Sequence, residues 1–263
     1  MNHKTKIIAI TNQQGGVGKT TTAVNLAASL AATKRRILLI DLDPQGNATM
    51  GSGIDKYDLE KTVAHLLLGE ATFDEVVQNS PSNHYEVLPS NRDLTAAEIG
   101  LLDMENRQQR LKNILAPLQE QYDYIIIDCP PTLNMLTIVA LVASNGVLIP
   151  MQCEYYSLEG LSSLLSAIEQ LQQDLNPTLE LEGILRTMYD PRNRLTNDIN
   201  KQLHEHFGEK VYRTVIPRNV RLAEAPSYGK AILHYEKNSQ GAAAYLALAG
   251  EMIRRQEEGN KPL

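Results

Sequence analysis

Apolar residues in this chain gather in short unbroken runs instead of alternating with polar ones. Residues 6–10, 35–41, 122–128 and 146–151 each carry a largely continuous apolar stretch, the pattern of strands buried on both faces, as parallel strands are. Residues 84–89, 179–188 and 210–217 add three further strands. Between them the spacing predicts helices over 21–32, which is rich in Ala and Leu with no breaker, and over 136–143, 157–175, about 196–207 and about 241–256. Ser157 is the expected N-cap of its helix, and a helix from about 94 to 118 is expected to break near Pro117. Residues 51–83 are punctuated by Gly51, Gly53, Gly69 and Pro81, with short helices at 63–68 and 73–77; no chemistry is visible in 54–83. Strands and helices alternate without a repeat or a composition break, which predicts one doubly wound α/β domain over 1–263, its mainly parallel sheet covered by helices on both faces.

Composition narrows the class. The 263 residues are 43% hydrophobic and 21% charged, which suits one large α/β domain or two small ones. No apolar run reaches the roughly 18 residues of a membrane span. The first six residues lack the apolar stretch of a signal peptide, so a cytoplasmic location is expected. The two cysteines, Cys129 and Cys153, lack metal-ligand spacing, and neither a disulfide framework nor a zinc site finds support. The net charge of −6 is unevenly placed: residues 186–237 hold ten Lys/Arg against six Asp/Glu, a local +4 in a remainder of −10. Such asymmetry points to an anion-facing surface on an acidic protein, or to a solvated face of mixed charge.

The chemistry begins where the first strand ends. Gly15, Gly16, Val17 and Gly18 followed by Lys19, Thr20 and Thr21 form a phosphate-binding loop opening a helix. The glycines let backbone N–H groups approach an anion. Lys19 is placed to reach β- and γ-phosphates, the Thr20 hydroxyl to ligate Mg²⁺, and the helix adds its positive end. Gln13 stands where the general pattern has its first glycine. Residues 122–128 end in Asp128, which fits a Walker B carboxylate acting on the Mg²⁺ hydration shell through water. A second strand ends at Asp41, with Asp43 two residues on, at the edge where open α/β sheets place ligands.

Residues 12–22, 40–49, 122–131, 152–160 and 216–227 together resemble the ParA/Soj partition ATPases, within the deviant P-loop group that includes MinD and the nitrogenase iron protein. The chain begins directly before the P-loop, which matches the short form without an N-terminal helix-turn-helix domain. The resemblance implies that ATP and Mg²⁺ drive a face-to-face homodimer, that this dimer binds double-stranded DNA without sequence preference on the nucleoid, and that a ParB-type protein stimulates hydrolysis. It implies a role for Asp43 in positioning the attacking water, an outer-shell role near the metal for Asp41, a nucleotide contact for Pro217, and phosphate contacts for Arg192, Arg218, Arg221 and, more loosely, Lys230. One of Asp41 and Asp43 alternatively serves only to cap the loop.

The group carries a signature lysine just before the glycine pair, reaching the partner's nucleotide. This chain has Gln14 there. Glutamine donates hydrogen bonds but no charge, and a trans-acting cation of this kind is worth on the order of 10³ to 10⁵ in rate. The expectation is a chain that binds nucleotide but dimerises and hydrolyses poorly, through an introduced change or in a lineage that compensates elsewhere. Competing readings are a MinD-like membrane-positioning ATPase, an iron–sulfur reductase and a non-hydrolysing nucleotide-gated scaffold. The tail after Gln256, with Glu257, Glu258 and Pro262, argues against lipid insertion, and Cys129 and Cys153 do not fall where a cluster would need them.

Overall fold

The computed structural model describes residues 5–259; the very N-terminus read for a signal peptide (1–4) and the end of the tail read for lipid insertion (260–263) lie outside the described residues. Eight strands form one sheet: β1 (Lys6–Ile10), β2 (Ile37–Asp41), β3 (Gln78–Asn79), β4 (Glu86–Leu88), β5 (Tyr124–Asp128), β6 (Gly146–Gln152), β7 (Glu180–Tyr189) and β8 (Val211–Pro217). Their order is β3-β4-β2-β5-β1-β6-β7-β8. All pairs are parallel except the short edge strand β3 against β4.

The unbroken apolar runs are buried on both faces, as their pattern requires. Successive residues of β1 point to opposite sides: Ile8 and Ile10 pack with helix α1 (Lys19–Ala31) and the C-terminal helix, whereas Ile7 and Ala9 pack with the helices of the other face. That second layer includes α2 (Asp93–Leu102), α3 (Met135–Ala143), α4 (Ser157–Asp174) and α5 (Arg194–Phe207). The C-terminal helix is α6 (Gln240–Gly259). Burying each such Ile or Leu contributes about 1.5–3 kcal/mol. A one-residue slip of β1 would exchange its two faces, so the register is fixed by the core.

The structure corrects two local expectations. The stretch 94–118 is not one helix: α2 ends at Leu102, and a short helix (Arg110–Leu115) flanked by 3₁₀ turns follows. Asn106 sits in the left-handed region with φ 53°, which Asn tolerates better than most non-glycine residues, and the Arg107 guanidinium bonds the Leu102 carbonyl at the end of α2. Pro117 lies within the 3₁₀ turn Ala116–Leu118. Ser157 is the first residue of α4 rather than its cap; Tyr156 precedes it in helical conformation with no side-chain cap bond.

Strand β8, at the sheet edge, is blunted by α6. Buried Glu251 accepts hydrogen bonds from the N–H groups of Arg213 at 2.8 Å and Thr214 at 2.9 Å, and from the Thr214 hydroxyl at 2.7 Å. Arg255 pairs with it at 2.8 Å. This occupies donors that an open edge offers to other chains. Burial alone would raise the Glu251 carboxyl, but the Arg213 and Thr214 bonds, with the Arg255 charge, hold it below its ordinary value of 4.5. A carboxylate depressed on folding stabilises above the unfolded value and loses that contribution as pH falls through the folded one. Glu251→Ala is therefore expected to cost about 2–3 kcal/mol at pH 7, roughly 5–10 °C in Tm. Thermal melts from pH 7 to pH 3 should show the gap to the parent narrowing below 4.5; a constant gap would contradict this account.

Candidate nucleotide site

The C-terminal ends of the parallel strands meet at one edge of the sheet, and their register sets the chemistry there. Asp41 is paired with Asp128 across β2 and β5, and Ile10 with Asp128 across β1 and β5. The loop leaving β1 therefore rises beside two buried carboxylates. Gly16 and Gly18 have φ of 76° and 88°, conformations that exclude ordinary side chains, and Gly18 is the N-cap of α1. A Cβ on Gly15 or Gly16 would meet nothing within 4 Å, so the space over the loop is an open cradle that a side chain would begin to fill.

Three side chains outside the glycines, Lys19 and Thr20 hold this loop in place through four hydrogen bonds. Asn12 donates to the Pro150 carbonyl at 2.8 Å and accepts from the Gln14 N–H at 2.9 Å. Thr187 donates to the carbonyl of buried Val17 at 2.8 Å, and Gln152 to that of Gly16 at 3.1 Å. Asn12 and Gln152 stand in the matched sequence blocks, although nothing in the sequence marks them as tethers. Thr187, in a strand read only as core, gives no sequence signal. The Thr21 carbonyl accepts from Asn25 one turn along α1 at 2.7 Å, and half-buried Pro217 ends β8, in register with Tyr189 of β7.

Thr20 donates from Oγ1 to Asp128 Oδ2 at 2.7 Å. The other oxygen, Asp128 Oδ1, is buried without a hydrogen-bond partner among the described residues. An orphaned carboxylate oxygen beside a threonine hydroxyl fits a hydrated Mg²⁺, whose bound water supplies the missing donor. Charge points the same way. Burial, then Asp41, then Asp43 raise the Asp128 carboxyl well above the usual carboxylate range, despite the Thr20 bond and Lys19. Burial pulls the Lys19 ammonium below its ordinary value, while Asp128, Cys129 and Asp43 pull it back. One ammonium among three carboxylates leaves the pocket short of positive charge, the deficit a divalent cation removes. Lys19 meanwhile donates to the Gln14 carbonyl at 3.0 Å.

The two acids after β2 are distinguished by their partners. Asp41 Oδ2 accepts from the Thr49 N–H at 2.8 Å and hydroxyl at 2.7 Å, and Oδ1 accepts from the Asp43 N–H at 3.1 Å. Burial raises its carboxyl to about 6 against those bonds. Both of its oxygens serve the loop. Asp43 uses Oδ1 for the Gln45 N–H at 2.9 Å, while Oδ2 takes part in no hydrogen bond among the described residues. Gly46 turns the loop at φ 61°, where a Cβ would lie 2.7 Å from the Ser90 carbonyl.

Gln14 is exposed, and among the described residues its side chain reaches only the Ser157 hydroxyl, at 3.5 Å. The basic residues lie further along the same edge. Arg192, 88% exposed, grips Asp190 with two hydrogen bonds of 2.8 and 2.9 Å. The bonds from Arg192 first, with the Arg218 charge adding to them, hold the Asp190 carboxyl down at about 2. Arg221 pairs with Glu224 at 2.7 Å. Lys230 is half-buried and acts electrostatically on His234.

The AAA domain family matches residues 5–181. The chain is 52% identical over 247 residues to the sporulation initiation inhibitor protein Soj of Bacillus subtilis, covering 94% of this chain and 98% of that one. It is 49% identical over 250 residues to the chromosome partitioning protein ParA of Myxococcus xanthus, covering 95% and 88%. A cobyrinic acid a,c-diamide synthase from Mycobacterium smegmatis, solved with ADP and magnesium, aligns at a TM-score of 0.85 and 36% identity over 98% of this chain and 97% of that one.

Asp128→Ala removes the orphaned oxygen and the Thr20 acceptor together. Outer-shell partners of a metal are worth about 10- to 100-fold in affinity or activity. Titration with a fluorescent ATP analogue should show Mg²⁺-dependent tightening in the parent and lose about that factor in the variant, with binding in EDTA unchanged.

Proposed function

Because the chain belongs to the ParA/Soj family of P-loop partition ATPases, we propose that it segregates DNA as a nucleotide-controlled switch. In this reading ATP and Mg²⁺ bring two copies face to face, the dimer holds double-stranded DNA without sequence preference on the nucleoid, and a ParB-type protein resets it by stimulating hydrolysis. The observation that carries the reading is the Thr20–Asp128 pair with its unpartnered oxygen, set beside an open glycine cradle. All 263 residues are read as one ATPase domain acting in the cytoplasm, and among the described residues no helix is long and apolar enough to cross a membrane.

The residues divide the work. On nucleotide binding, Lys19 exchanges the Gln14 carbonyl for phosphate oxygens, and the N–H groups of 15–21 line the cradle. Thr20 and Asp128 hold the metal shell; Mg²⁺ would neutralise charge on the phosphates. Asp43, with one oxygen uncommitted, orients the attacking water. Asp41 serves by holding the loop that carries Asp43. Phosphoryl transfer needs mainly such positioning and charge stabilisation.

Two consequences follow from the side chains at the edges. Gln14 brings no charge to a partner's nucleotide, so the ATP dimer of this chain is weak and its turnover slow; the same glutamine favours, as a second reading, a scaffold gated by nucleotide without hydrolysis. Two of the three arginines read as facing DNA are already paired, Arg192 with Asp190 and Arg221 with Glu224. Exposed ion pairs are weak and exchange readily, so phosphates displace these carboxylates with little resistance.

Light scattering on a sizing column with Mg-ADP or Mg-ATP should find this chain monomeric in both, and Gln14→Lys dimeric with ATP alone. Equal dimerisation of both proteins would show that another cation crosses the interface. In the Gln14→Lys background, each of Arg192→Ala and Arg218→Ala should lower the slope of log affinity for duplex DNA against log salt by about one. Asp190→Asn should tighten DNA binding severalfold, since the arginines lose their competitor; unchanged binding would place the DNA elsewhere.

A further inference from the structure

The loop after β2 is packed backbone to backbone against the segment that carries Lys230. The short helix Asn47–Gly51 hangs from Asp41 through Thr49, whose hydroxyl oxygen also accepts from the Ser90 N–H at 2.9 Å. The chain leaves that helix through Gly53, at φ 80°, where a Cβ would lie 2.9 Å from the Gly229 carbonyl oxygen. Reciprocally, a Cβ on Gly229, at φ 61°, would lie 2.6 Å from the Gly53 Cα. Gly229 closes the 3₁₀ turn Ala225–Tyr228, and Lys230 follows with its N–H on the Ala225 carbonyl at 3.3 Å.

Beyond this turn the segment is tied at two points, one in α1 and one that leads back to the loop through Asn83, the Ser80 hydroxyl and the Ser52 carbonyl. The Ala231 N–H donates to Asn83 at 2.8 Å, and the Ile232 N–H to Asn25 at 2.7 Å. Asn25 lies in α1, directly behind the phosphate-binding loop, and Asn83 is wholly buried.

We propose that the Gly53–Gly229 contact is the link through which occupancy of the nucleotide site positions residues 221–230, and so sets their affinity for DNA phosphates. The proposal rests on the reading above that the ATP form holds DNA. Asp43, with a free oxygen, is the part of the loop open to the nucleotide, whereas both oxygens of Asp41 bind the loop itself. A shift at 43–46 is therefore passed on to 47–53. Neither glycine has a side chain to yield, and packed backbones move together or separate. Asn25 of α1 holds 232 in place, while 231 is tied through Asn83 and Ser80 to Ser52 of the moving loop, so the turn at 225–231 takes up the motion. Asp41 and Thr49 are in this account positioning residues.

Two measurements test the link. Hydrogen exchange over 221–235 is followed with Mg-ADP and Mg-ATP in this chain and in Gly53→Ala; DNA affinity with each nucleotide is followed in Gln14→Lys with and without Gly53→Ala. The expected result is nucleotide-dependent protection of 221–235 that disappears in Gly53→Ala while ATP affinity is retained. The ATP-to-ADP ratio of DNA affinities should fall by about tenfold, within the usual range of coupling between sites. Protection that ignores the nucleotide in the unsubstituted chain overturns the link, as does a folded Gly53→Ala that keeps the full ratio. If Gln14→Lys itself shows no ATP-dependent DNA binding, the partition reading fails, and the exchange comparison alone decides the link. Should Gly53→Ala not fold, Thr49→Val, which removes the hydroxyl on Asp41 at nearly constant shape, takes its place under the same criteria.

Discussion

The structure turns on the pairing of Asp41 with Asp128 across two parallel strands. Parallel register places both carboxylates at the same level of one sheet edge, within a layer that the apolar runs of β2 and β5 bury completely. Buried charges of one sign are costly unless cations or donors answer them. The fold answers Asp41 with three donors from its own loop and Asp128 with one threonine hydroxyl. Asp128 is left half satisfied, and Lys19 is the nearby cation. A compact core has thereby kept one buried carboxylate oxygen with fewer partners than its charge calls for.

That imbalance explains how two acids of similar position come to differ. Asp41 is fully bonded and shapes the chain; Asp43 is held by one oxygen and leaves the other uncommitted. The difference arises from Thr49, which supplies both its N–H and its hydroxyl to Asp41. The phosphate-binding loop shows the same division between frame and chemistry. Asn12, just past β1 and bonded to Pro150 of β6, anchors its backbone together with Gln152 of β6 and Thr187 of β7, so the glycine turn is positioned by the sheet and not only by its own conformational preferences.

Much of this was legible in the sequence, for identifiable reasons. Unbroken apolar runs ending in Asp41 and Asp128 announced parallel strands and a ligand-bearing edge, because burial on both faces permits no alternation. Glycines followed by Lys19 and Thr20 announced the cradle, because few other patterns suit a close anion approach. What escaped was set by tertiary contact. Thr187 looks like any strand threonine until β7 meets the loop. Asn106 breaks a helix that periodicity carries through, because α2 must stop for the chain to turn. Ser157 has the composition of a cap but follows a residue already helical. The antiparallel β3 is too short to show any periodicity.

The place of Gln14 in this geometry bears on what its side chain is able to change. Its backbone is fully employed, the carbonyl by Lys19 and the N–H by Asn12, and both bonds are indifferent to the side chain. The side chain is exposed and, among the described residues, reaches only Ser157. Among the described residues no other contact of the fold, and none around Thr20 and Asp128, involves it. Any consequence of glutamine rather than lysine must therefore be a matter of charge presented outward, to a ligand or to a second copy, and not of stability. Within one chain, then, position 14 acts through what faces it, and the candidate site keeps its geometry whichever side chain stands there.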